Sequence, residues 1–253
     1  MKSKEYEYYN NIKNWSFDDI DYEIENYTSW DYIEQIQKYV KPSSKVLDLG
    51  CAAGEKILKY YPDAKEIIGT DFSEEMIKSA NRNLIKSKRK NITFRVMDNL
   101  NMDTPDNYFD VVTCRHTVID ARMIYKALKY DGHLILRGVD KMDCWALKMM
   151  FGYGQAFSDL KPISQIDYEN ILLAGFKDVE LVPLHVIEYY KTKEDLLKLL
   201  LKVPILQNYS EENGALYEIP KIDLDIFEKY VRENLRKKGI KLIRRYYGII
   251  AKK

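Results

Sequence analysis

Five short apolar runs dominate the first 140 residues, at 45–50, 66–71, 92–97, 109–114 and 133–139. Stretches with helix signals separate them. Ile33, Ile36 and Val40 share one helical face before Pro42, and residues 55–61 read as a helix stopped by Pro62. Ser73 is placed to cap a further helix, with Glu74 and Glu75 in the first turn where the dipole favours acids. Residues 119–130 read as another, closed by an Asp131-Gly132 turn. Alternation of this kind forces crossover connections, and so a parallel sheet with helices on both faces. The runs are nearly continuous in apolar residues, as strands buried on both faces must be.

After Asp140 the pattern changes. Residues 141–170 are mixed, with a glycine turn at Phe151-Gly-Tyr-Gly154. Residues 176–190 read as a long strand, 195–201 and 224–237 as helices, and 240–251 as a final strand after Gly239. The expectation is one domain over 1–253: an N-terminal helical extension or lid (1–44), a core (45–139), and later elements with a closing strand pair (140–253).

Lys+Arg 40 against Asp+Glu 39 gives a net charge of +1, which argues against a surface wholly given to nucleic acid. Cys51, Cys114 and Cys144 lie far apart with no CxxC, so a disulfide framework and a zinc site are not expected, and a reducing cytoplasm fits. No metal-ligand spacing occurs, and no metal is expected. No apolar run nears the ~18 residues of a membrane span, and the N-terminus lacks a signal-peptide core. No membrane partner is expected.

The chemistry concentrates in Val46-Leu-Asp48-Leu-Gly50-Cys51-Ala52-Ala-Gly54-Glu55. A strand delivers the chain to a small-residue turn, and a helix leaves it. Gly50 and Gly54 let backbone approach a ligand beyond the carboxyl end of the sheet. Asp71 closes the next run, where a carboxylate can accept hydrogen bonds from two ribose hydroxyls. Asp98 and Asn99 follow the third.

Together with Gly69-Thr-Asp71-Phe-Ser-Glu-Glu-Met-Ile77, Met97-Asp98, Phe109-Asp-Val-Val112 and Leu128-Lys-Tyr-Asp-Gly-His-Leu134, this segment resembles the class I S-adenosylmethionine-dependent methyltransferases. The resemblance implies a Rossmann-like, doubly wound α/β fold: a seven-stranded, mostly parallel sheet with an antiparallel last strand. Here it would carry the N-terminal extension and a late insertion. It implies S-adenosyl-L-methionine as cofactor. Asp48 would orient the loop or reach the methionine amino group through water. Gly50, Cys51, Ala52 and Gly54 would form the loop, with Gly50 and Ala52 against the methionine part. Asp71 would hold the ribose, Phe72 and Met76 would border the adenine, and Asp98 would face its amino group beside Asn99. Arg115 and His116 would lie near the methyl-bearing sulfur, with His116 the candidate general base or, failing that, a packing residue. Ala52 departs from the family's usual glycine; the expectation is that the turn needs only a small residue there.

Carrying a methyl already activated as a sulfonium, such a cofactor needs little beyond alignment of an acceptor and exclusion of water. No Asn-Pro-Pro-Tyr-like segment follows the fourth strand, and no paired catalytic cysteines appear. The acceptor is expected to be a small molecule, methylated at O or N rather than C. Trp15, Trp30 and Tyr153 are its candidate substrate-side residues. Nucleic acid is not the expected partner: a basic run at residues 236–253 reads as a solvated face, and acidic residues at 211–228 oppose a phosphate track. The alternatives are an RNA methyltransferase and a non-catalytic S-adenosylmethionine-binding protein, with a nicotinamide dehydrogenase behind them.

Overall fold

A computed structural model describes residues 17–208, 210 and 221–253. In chain order the elements are β1 (Tyr22–Asn26), α1 (Tyr32–Tyr39), β2 (Lys45–Leu49), α2 (Glu55–Tyr60), β3 (Glu66–Asp71), α3 (Glu74–Ser87), β4 (Ile92–Val96), β5 (Phe109–Arg115), α4 (Ala121–Ala127), β6 (Leu128–Val139), α5 (Trp145–Phe151), α6 (Ile163–Ala174), β7 (Lys177–Tyr190), α7 (Lys193–Lys202), α8 (Leu224–Asn234), β8 (Leu235–Arg236) and β9 (Gly239–Lys252).

They build one sheet in the order β1-β7-β9-β6-β5-β2-β3-β4, with β8 paired to β9. Strands β6, β5, β2, β3 and β4 are mutually parallel, and β9 runs antiparallel to both β6 and β7. The expected seven strands are therefore β2 to β7 and β9. Two short ones are added.

One addition corrects the reading of the N-terminal extension as purely helical. Tyr22–Asn26 alternates larger residues with glutamates and pairs antiparallel with the end of β7, Tyr22 opposite Tyr190. Its charges guard the sheet edge: Glu23 pairs with Lys191 and Glu25 with Lys238. The mixed stretch 141–170 also resolves into two helices, α5 and α6. α5 closes on Gly152, whose φ of 75° lets its N–H reach the Lys148 carbonyl.

Alternate strand residues feed opposite faces. Leu47, Phe109, Leu134 and Ile249 pack with Ile124 of α4 and Ile171 of α6. On the other face, Val46, Ile67, Phe94 and Ile135 pack with Ile36 of α1, Ile57 of α2 and Ile77 of α3. This is the doubly wound arrangement, and it leaves the carboxyl ends of β2 to β5 uncovered by either helical layer.

β7 and β9 are longer than the rest. The last β6–β9 pair is Val139 with Tyr246, so residues 239–245 of β9 overhang the carboxyl edge. The overhang has a core of its own, built from Cys144, Leu147 and Phe151, Leu196 and Leu199 of α7, Phe227 and Tyr230 of α8, and Tyr190 and Leu242. At its base Arg244 is held between two acids. Its Nε donates to Asp143 Oδ1 at 3.0 Å and its Nη1 to Glu188 Oε2 at 3.0 Å. The Tyr190 hydroxyl also donates to Glu188.

Candidate cofactor and acceptor site

The turn after β2 is left-handed at three alternate residues: Gly50 (φ 72°), Ala52 (φ 48°) and Gly54 (φ 76°). A side chain at Gly50 would sit 2.9 Å from Thr117 Cβ, and one at Gly54 2.5 Å from the Phe94 ring. Ala52 meets the conformational demand that its replacement of glycine was expected to escape. An L-residue there costs about 1–2 kcal/mol, part of which glycine would forfeit through a freer unfolded chain. Ala52→Gly should therefore raise stability by about 0.5–1 kcal/mol. Urea unfolding checks it: the midpoint rises with an unchanged slope, and a lower midpoint would refute it.

Asp71 holds that turn in place. Its Oδ2 accepts from Ala52 N–H at 3.0 Å and its Oδ1 from Ser73 N–H at 2.9 Å. Ser73 meanwhile caps α3 through Met76 N–H, as its position in the sequence suggested. Burial pushes the Asp71 carboxyl up, and the two backbone donors partly offset this. Each oxygen keeps a further lone pair for a ligand hydroxyl.

Asp48 lies beneath the turn. Thr113 Oγ1 donates to its Oδ1 at 2.6 Å, and the Tyr61 hydroxyl donates to the same atom. Among the described residues Oδ2 has no donor. Burial pushes this carboxyl up to about 6. Cys51 is buried and its thiol is pushed up by burial, with Asp48 and Asp71 adding to the shift, which makes it a poor nucleophile.

Beyond β4, Asp98 is exposed, and its Oδ1 accepts from Leu100 N–H at 2.9 Å. Asn99 is buried; its Nδ2 donates to Thr117 Oγ1 at 2.9 Å, while its Oδ1 has no partner among the described residues. A buried acceptor without a donor is costly, and a ligand N–H or O–H would relieve it. Met76 is buried at the head of α3 and Phe72 is half-buried beside it.

At the end of β5, His116 takes a φ of 54°, and its ring stacks on Tyr246 with centroids 5.3 Å apart. Its Nε2 lies against Arg137 Nη1. Burial within the surrounding protein, reinforced by Arg115, Arg137, Arg244 and Lys56, pushes the imidazole well below its usual range, so it is neutral at neutral pH. The residue is nonetheless exposed to solvent.

The structure thus brings together the predicted Asp48, Gly50, Cys51, Ala52, Gly54, Asp71, Phe72, Met76, Asp98, Asn99, Arg115 and His116 around the carboxyl ends of β2 to β5. Trp30 packs over Gly248 on β9, and its indole N–H is buried without a partner among the described residues. Tyr153 is half-buried against Phe151 in the overhang core. Trp15 lies outside the described residues. Sequence reasoning missed Tyr61 and Thr113, which hold Asp48, and Lys56, Arg137 and Tyr246, which the sheet register and α2 bring to Arg115 and His116. Among the described residues, no group of His, Cys, Asp and Glu is arranged to hold a metal, and no helix is long and apolar enough to cross a membrane.

Comparison with known proteins agrees with this geometry. Residues 40–169, just over half of the 253-residue chain, match the family described as a methyltransferase domain. The chain belongs to the class I S-adenosylmethionine-dependent methyltransferases. Within that family it is 32% identical over 99 residues to the uncharacterized methyltransferase YcgJ of Bacillus subtilis, a segment covering 36% of this chain and 39% of that protein. The crystal structure of YcgJ matches 88% of this chain and 97% of its own with a TM-score of 0.58 at 16% identity, a likeness of fold. Phosphoethanolamine N-methyltransferase 3 of Arabidopsis thaliana is 30% identical over 118 residues, 43% of this chain and 23% of that protein. The mouse eEF1A lysine and N-terminal methyltransferase is 35% identical over 111 residues, 43% of this chain and 15% of that protein. The matched segments span less than two-fifths of the length of these relatives. The family match ends at residue 169, within α6 and before β7 to β9.

Proposed function

We propose that this chain is an enzyme that binds S-adenosyl-L-methionine across the ends of β2 and β3 and transfers its methyl to a small acceptor at O or N. The observation that carries the reading is Asp71, which braces the left-handed turn through Ala52 and still offers lone pairs on both oxygens. In this reading Asp71 receives the ribose hydroxyls. Asp98 and the unpaired Asn99 Oδ1 take donors at the adenine end, with Phe72 and Met76 along the base. Asp48 Oδ2 faces the methionine ammonium.

When bound, the cofactor supplies a methyl whose carbon–sulfur bond breaks as the acceptor lone pair forms its bond. The residues of the chain supply alignment. Gly50 and Gly54 let the backbone close on the cofactor, Arg115 and His116 flank the reacting end, and the overhang of β7 and β9 excludes water. A proton lost by the acceptor passes to solvent or to His116, whose depressed basicity keeps it unprotonated at neutral pH.

The C-terminal basic run is dispersed by the fold, which weighs against RNA as acceptor. Arg244 is buried between Asp143 and Glu188, Lys238 pairs with Glu25, and Lys252 pairs with Asp131 at the opposite end of β9. Calorimetric titration with S-adenosylhomocysteine, with NAD as control, tests the reading. Micromolar binding of the first alone is expected, and binding of NAD instead would refute it.

Asp48 adds a pH signature. Its folded pKa is raised to about 6, so the folded protein holds an extra proton between the ordinary carboxylate range and pH 6. That contribution to stability is complete below the unfolded pKa and is lost as pH rises through 6. Only the ionised form attracts the ammonium. Affinity for S-adenosylhomocysteine should therefore fall as pH drops below 6, approaching ~10-fold per unit, with protons released on binding. Equal affinity at pH 5 and 7.5 would remove Asp48 from the ammonium.

A further inference from the structure

Arg115 and Arg137 are direct register partners on the parallel strands β5 and β6. Their side chains leave the same face of the sheet on backbones about 4.8 Å apart. Lys56, in the first turn of α2, is close enough for both arginines to act on its charge. The Arg137 guanidinium lies 4.0 Å from the centre of the Tyr246 ring, whose plane also carries His116. Two paired arginines, one of them on an aromatic ring, thus lie within electrostatic reach of a lysine.

Their counter-charges are missing. Among the described residues no carboxylate comes within ion-pair distance of Lys56, Arg115 or Arg137; Glu55 and Asp31 act on Lys56, and Asp48 on Arg115, only from farther off. The acids nearest the overhang, Asp143 and Glu188, are both committed to Arg244. Arg115 and Arg137 are half-buried and Lys56 is exposed beside them; like charges gathered in this way destabilise one another and ordinarily collect an anion. The effect is visible on the groups themselves: burial with the neighbouring Arg115 pushes Arg137 down to about 10, and burial with both arginines pushes Lys56 down to about 8. Arg137 lies near the carboxyl end of β6, on the far side of β5 from the Asp71 end of the site. In the reading proposed above, this is the acceptor's side.

We infer that Lys56, Arg115 and Arg137 form an anion site beside the methyl-transfer position, and that the acceptor carries an acidic group, a phosphate or a carboxylate, which Arg137 grips with its planar fork. The inference rests on the methyltransferase reading above and gives that acceptor a chemical class. A guanidinium suits either oxyanion because two parallel N–H donors match two oxygens.

The test uses the full chain saturated with S-adenosylhomocysteine. It is titrated with inorganic phosphate and, separately, with acetate, at an ionic strength held constant with chloride. Heat and the thermal midpoint are followed. Saturable binding is expected, weakened at least ~10-fold in Arg137→Gln and also weakened in Lys56→Gln, with affinity for S-adenosylhomocysteine within about threefold of wild type. Saturation with phosphate alone assigns a phosphorylated acceptor, and with acetate alone a carboxylic one; either supports the site. No saturable response, or one unchanged in both variants, overturns it. Weaker S-adenosylhomocysteine binding in Arg137→Gln also overturns it, because the cluster then serves the cofactor's own carboxylate. RNA binding that Arg137→Gln abolishes, without response to either small anion, overturns it in favour of a polymer. A wild-type protein that binds no S-adenosylhomocysteine refutes the proposed function instead, and the same titrations on the free protein then decide the anion site alone.

Discussion

Asp71→Ala should reduce S-adenosylhomocysteine affinity by about 3–5 kcal/mol, on the order of 10²–10³-fold or more. Two losses add. Each ribose hydroxyl forfeits a hydrogen bond to a charged acceptor, worth about 1.5–3 kcal/mol. The N–H groups of Ala52 and Ser73 also lose their acceptor, so the strained turn at Ala52 is no longer held. Asp71→Asn keeps an acceptor oxygen and should fall between the two proteins. Calorimetry measures both, and an alanine variant that binds within threefold of wild type would take the ribose away from Asp71.

Arg244→Met should cost about 3–5 kcal/mol of folding stability, a large part of the 5–15 kcal/mol typical of a domain. The guanidinium bridges Asp143 and Glu188 in a nearly closed environment, with its side chain 9% exposed. Its removal leaves two acids desolvated without a counter-charge, and that penalty exceeds the net worth of the original pairs. Replacing all three together, Arg244→Met with Asp143→Leu and Glu188→Leu, should restore most of the loss. Chemical denaturation of the two proteins decides it; a single variant within 1 kcal/mol of wild type would show that the bridge contributes little.

Much of the architecture was legible because burial writes a strong local signal. The runs ending at Gly50, Asp71, Cys114 and Val139 are largely apolar on both faces, the edge run ending at Met97 on one, and strands lie along all five. β1 was not legible: of its two larger residues only Tyr22 is partly buried while Ile24 is exposed, and its partner Tyr190 is far away in sequence. α5 and α6 were obscured because their apolar residues are spread around the helix; Leu172 and Leu173 of α6 even face solvent. On the site, Asp48, Asp71 and the glycine turn follow from local spacing. Ala52's left-handed backbone does not, because alanine carries no sign of a positive φ. Nor does the meeting of Arg115 with Arg137, which depends on strand register, or the support of Asp48 by Tyr61 and Thr113, which depends on helix and strand packing.

The overhang formed by β7 and β9 divides the labour of the molecule. Its apolar cluster shares no residue with the two clusters that sandwich the parallel strands. Side chains that shape one end of the cleft can therefore be exchanged without disturbing the shelf on which Asp71 and the glycine turn rest. On the function proposed, a lineage built this way can change the molecule it modifies while its means of holding the methyl donor stays fixed, much as a lathe keeps its chuck while the tool is replaced.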